Sequence, residues 1–122
     1  MIDHGNKERN NDMQSVEDAL RLVRDKLASH LWSTAPGLLA VLNIYCRDRY
    51  GTEYLEILVR EPGIAYNIAL DYLGNEVSTK LFLLSLLKPV LGEETREAVR
   101  LLENGNVEGF RRLITSRAGR YP

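Results

Sequence analysis

Single glycines and prolines cut this chain into short apolar segments, and that punctuation limits the fold more than any other feature. Pro36 and Pro62 suit the first turn of a helix. Gly51, Gly74, Gly92 and Gly105 each follow a run with helical spacing, where a left-handed residue stops a helix. Nowhere does an apolar-polar alternation bounded by hairpin turns appear, so no sheet is expected. The expectation is an all-α fold, a compact bundle of six to seven short helices with short connections.

The segments read as follows. Residues 1–12 (MIDHGNKERNND) are polar and aperiodic, and are expected to form a flexible tail. Ser15 with Asp18 resembles a capping box opening a first helix. Val16, Ala19, Leu20, Val23, Leu27 and Leu31 give it one apolar stripe, ending near Trp32. The second helix starts at Pro36, is apolar from Leu38 to Cys46, and stops at Gly51. Thr52 is the expected cap of a short third helix holding Tyr54, Leu55, Ile57 and Leu58. A fourth runs from Pro62 to Gly74 with Ile64, Ala65, Ile68, Ala69 and Tyr72 inward.

Asn75 is placed to cap a fifth helix, whose residues 81–87 (LFLLSLL) are apolar except Ser85. Length, the cap and the leucines favour a helix there over a buried strand. Pro89 is expected to kink or end it. Residues 93–104 form a sixth helix with Ala98, Val99, Leu101 and Leu102 inward. Asn106 opens a seventh, packed through Val107, Phe110, Leu113 and Ile114. The single helical domain thus spans 13–117, and 118–122 is expected to fray.

A chain of 122 residues with 44% apolar and 27% charged residues has enough material for one core without disulfides or metal. Its formal net charge of −1 provides no global field toward nucleic acid or an anionic membrane. The uncharged stretch 27–46 has the length of a membrane span, but Pro36-Gly37 divides it, and no membrane partner is expected. Residues 1–12 carry no apolar leader, so a cytoplasmic location is the default expectation. One glutamine weakly suggests heat adaptation, and eight asparagines argue against it.

No chemistry-bearing cluster stands out. His4 and His30 with the lone Cys46 give no metal-ligand spacing, so no metal or other cofactor is expected. Cys46 sits in an apolar run and reads as a small hydrophobe rather than a nucleophile. Glu53, Glu56 and Glu61 gather around the third helix and Glu93, Glu94 and Glu97 open the sixth, where acids favour the helix dipole. No glycine loop of the phosphate-binding type is present, and no small-molecule substrate is implied. No catalytic residue is named, and the chain is not expected to be an enzyme.

Two surfaces remain as candidates. Helices two and five are apolar nearly all round, which points to the core or to an interface with a second copy or another protein. Trp32, Tyr50, Leu83 and Leu87 are the candidate interface residues, and Tyr45, Tyr54, Tyr66 and Tyr72 supply further amphipathic rings. The alternative is a nucleic-acid-associated accessory protein. Twelve arginines outnumber four lysines. Arg111, Arg112, Arg117 and Arg120 concentrate near the C-terminus, where they are candidates to contact phosphates.

The middle of the chain also has a rhythm: an apolar helix ending Arg49-Tyr50-Gly51, a short helix, Glu61-Pro62, a helix ending Leu73-Gly74, and a leucine-rich helix. Over about residues 38–92 this resembles a small archaeal helical family that occurs alone or as output domains of regulatory proteins. The resemblance implies a helical, non-enzymatic interaction role and carries no ligand residues with it.

Overall fold

The structure is a computed structural model that describes residues 4–118, with side chains for residues 16–117. Its elements are α1 (His4–Thr34), α2 (Pro36–Tyr50), α3 (Tyr54–Arg60), α4 (Pro62–Leu73), α5 (Glu76–Leu91), a 3-10 turn (Gly92–Glu94), α6 (Thr95–Glu103) and α7 (Val107–Ala118). No strand occurs among the described residues. The all-α bundle is therefore the observed fold, with one difference: its first helix is long. Helical backbone reaches back to His4, so Ser15 lies within α1 rather than capping it. From His4 onward, the residues read as a tail are helical backbone.

α1 is the spine of the bundle and packs against α2, α3, α5 and α7. Its buried stripe is Leu20, Val23, Leu27 and Leu31, while Val16 is exposed. The stripe meets a core closed by Leu58 of α3, Leu83 and Leu87 of α5, and Phe110 and Ile114 of α7. α6 is amphipathic, with Ala98, Val99 and Leu102 buried and its charges outward.

Two of the expected caps form. Asn75 accepts the Ser78 N–H at 2.8 Å, and Asn106 accepts the Gly109 N–H at 2.9 Å. Thr52 does not cap α3. The Tyr54 N–H instead donates to the Asn43 side-chain oxygen of α2 at 3.0 Å. Asn43 is thus a buried polar residue inside an apolar helix, and its role is to finish a neighbouring one. Asn43→Ala is expected to leave that N–H orphaned and cost about 1–3 kcal/mol, read as a lower urea midpoint with unchanged slope.

Pro89 lies inside α5, which continues two residues further to Leu91. A proline there leaves the carbonyl four residues back without its helical donor. That residue is Ser85, and both Ser85 and Pro89 are on the exposed side, where water can take the bond. Gly92 then turns the chain with φ 57°, a value that favours glycine.

Candidate functional site

The helix with the least cover is α2. Among the described helices it packs only on α1 and α3. Leu39, Leu42, Asn43 and Cys46 face inward. On the opposite side, Gly37, Val41, Ile44 and Asp48 fall within about 60° of arc at 3.6 residues per turn. All four are exposed, Val41 to 44% and Ile44 to 69%. Leu38 and Tyr45 flank the stripe and are partly buried against the core. Leu38 also lines a groove of about 200 Å³ with His30, Leu31, Phe82, Ser85 and Leu86. The outward stripe therefore continues into an apolar hollow between the start of α2 and α5.

The interface candidates separate. Trp32 and Tyr50 are on the surface, 54% and 46% exposed. Trp32 lines a groove of about 270 Å³ with Arg24, Ala28, Leu39, Asn43 and Leu55 on one side of α2. Leu83 and Leu87 are both 0% exposed, so as surface contacts they are corrected: they face α1 and the core, and helical phase decides this. The exposed apolar residues of α5 are Val77 and Leu81 instead. Tyr54 is also a core residue. Its hydroxyl donates to the Ala65 carbonyl at 2.9 Å, and burial, with Cys46 beside it, pushes its pKa well up. Val41 and Ile44 were not singled out from sequence. Their i, i+3 spacing was visible, but it lay hidden in a helix apolar on every side.

The acids and arginines largely answer each other. Arg24 donates to Glu56 at 2.8 Å and to Asp25 at 2.9 Å. Arg60 donates to Glu56 and, at 2.6 and 3.0 Å, to Glu17, tying α3 to α1. Arg47 pairs with Glu53, Arg100 with Glu97, and Arg117 with Glu94. Bidentate guanidinium forks suit this stapling, which accounts for much of the arginine excess.

Burial pushes the Glu56 carboxyl up, but the hydrogen bonds from Arg60 and Arg24 outweigh it and hold the pKa below its ordinary value. A carboxylate with a depressed native pKa stabilises the fold above its unfolded pKa and loses that contribution as pH falls through the native value. Stability is thus expected to decline below about pH 4.5, and Glu56→Gln to flatten that decline in acid-unfolding curves.

The C-terminal arginines do not form one free patch. Arg111 donates to Glu108 at 3.1 Å and to the Arg60 carbonyl at 2.5 Å. Arg117 reaches the Val90 carbonyl at 3.4 Å besides Glu94. Arg112 is exposed beside Glu97, Leu101, Leu113 and Ser116. Arg120 lies outside the described residues, as does the side chain of His4.

Chemical options are few among the described residues. Cys46 is buried and desolvation raises its thiol pKa, so it is held as the weakly nucleophilic thiol. His30 and Ser85 line the same groove with no hydrogen bond between them, and the Thr34 hydroxyl donates to the His30 carbonyl. No group of three or more His, Cys, Asp or Glu is placed to share a metal. Among the described residues, no helix is long and apolar enough to cross a membrane. A groove of about 540 Å³ between α5 and α6, lined by Lys80, Leu84, Arg96, Arg100 and Glu103, is open and mixed in charge.

No family model matches the chain, and no curated protein or solved structure matches it either.

Proposed function

We propose that this protein is a non-catalytic protein–protein interaction module that self-associates through the outward face of α2. The observation carrying this reading is the exposure of Val41 and Ile44 on a helix that packs against only two of the other described helices. Leaving such a stripe in water costs free energy that a partner surface recovers. The stripe is narrow, so the expected dimer is weak, with Kd on the order of 10 μM, at the small end of interface size.

Sedimentation velocity between about 1 and 200 μM tests it. A monomer–dimer shift across that range is expected, and a strict monomer at the top would overturn the reading. The nucleic-acid alternative draws less support, because Arg111 and Arg117 are bound within the fold. A gel shift at 50 mM salt, lost in the Arg111→Ala/Arg112→Ala variant, is the result that would favour it instead.

A further inference from the structure

We infer that two copies of this chain pair through α2 in antiparallel register, as a short coiled-coil seam with Val41 against Ile44 of the second copy and Asp48 against its Gly37. This rests on the self-association reading and names the geometry of that contact.

The spacing comes first. Gly37, Val41, Ile44 and Asp48 are separated by four, three and four residues, the alternation of a heptad seam. Helices packed on such a seam cross at a shallow angle of about 20°, so contact runs along the stripe rather than at one point. A two-fold axis perpendicular to α2, passing between Leu42 and Asn43, sends position 41 onto 44 and position 37 onto 48. The same stripe then meets itself with its two apolar residues at the centre, as an isologous contact requires. A parallel pair would instead stack Asp48 on Asp48 at one end and Gly37 on Gly37 at the other.

The ends agree with the antiparallel choice. α2 has Ala35 at its N-cap position with no side-chain cap, and Pro36 brings no N–H. Gly37 and Leu38 therefore begin the helix with first-turn N–H groups that no side chain caps, at the positive end of the helix dipole. A Cβ built on Gly37 would meet nothing within 4 Å, so this end stands open to a close approach. At the other end, the arginines flanking Asp48 are both turned to their own chain. Arg47 pairs with Glu53, and Arg49 lies 5.0 Å over the Tyr45 ring. Among the described residues, no hydrogen bond or ion pair engages Asp48. Antiparallel docking carries each free carboxylate to the uncapped helix start of the other copy, twice per dimer.

Orientation-specific cross-linking is the test. Val41→Cys and Ile44→Cys are made separately, and Cys46, buried in both, is a shared silent background. Under mild oxidation at about 200 μM, the equimolar mixture is expected to form disulfide-linked dimer at least 10-fold faster than either variant alone. Gly37→Leu fills open space at a helical position any residue can adopt, so it should not lower the thermal midpoint, while weakening dimerisation at least 10-fold. Asp48→Asn should weaken it about 5-fold, and less in high salt. A dimer seen by sedimentation in which the mixture links no faster than single variants would overturn this register yet leave self-association standing. A monomer throughout would sink both.

Discussion

Leu87→Asp is expected to abolish the cooperative unfolding transition at 25 °C and neutral pH, leaving a chain with partial helical signal and no fixed tertiary packing. Leu87 is fully buried in the core cluster on α5, which packs against α1, α4, α6 and α7. Truncating it to alanine would already cost about 2–5 kcal/mol through lost transfer energy and a cavity. A carboxylate there adds a desolvation penalty of several kcal/mol with no cation inside to offset it. A domain this size has a total stability of about 6–15 kcal/mol, so the two terms together consume most or all of it. Near-ultraviolet circular dichroism and a urea titration read the outcome. A folded, cooperative Leu87→Asp variant that had merely lost self-association would show that α5, not α2, carries the interface.

That contrast turns on helical phase, which is also where sequence reasoning reached its limit. Helix boundaries marked by glycine, proline or asparagine were legible because these residues act locally: Asn75 and Asn106 cap where their positions suggested, and α2 runs between Pro36 and Gly51, whereas the Ser15 start expected for α1 and the Thr52 cap expected for α3 did not hold. Which side of an all-apolar helix faces inward was not legible. Leu83 and Val41 look alike as letters in apolar runs. Only the placement of the neighbouring helices, α1, α4, α6 and α7 around α5 but α1 and α3 alone among the described helices beside α2, decides that one is enclosed and the other is not. The same reason hid Asn43, whose partner is eleven residues on and in another helix. It also hid the ion pair between Glu17 and Arg60, separated by 43 positions. The arginines at 111 and 117 read as a basic patch in one dimension, yet in the fold they reach main-chain carbonyls of α3 and α5. Local rules gave the elements, while the docking of one element on another set both the core and the free surface.

Ile44→Asp is the substitution expected to act on association alone. Ile44 is mostly exposed in the single chain, so the variant should keep its fold to within about 0.5 kcal/mol. In the proposed dimer the same side chain would face Val41 of the second copy and be removed from water. Burying most of an isoleucine contributes about 1.5–3 kcal/mol, and the two-fold axis counts it twice. Asp at both places forfeits that gain and adds two carboxylates to an apolar seam. Since every 1.4 kcal/mol is tenfold, Kd should rise at least 100-fold, beyond detection in the micromolar range. Ionic strength separates this from an electrostatic contact. Apolar association of the native chain should persist in 0.5 M salt, where interactions among exposed arginines are screened to a few ångströms. Sedimentation of native and variant protein at low and high salt, with thermal midpoints measured alongside, decides between them. An Ile44→Asp chain that dimerises as tightly as the native one would move the contact off α2, whatever the rest of the surface then proved to do.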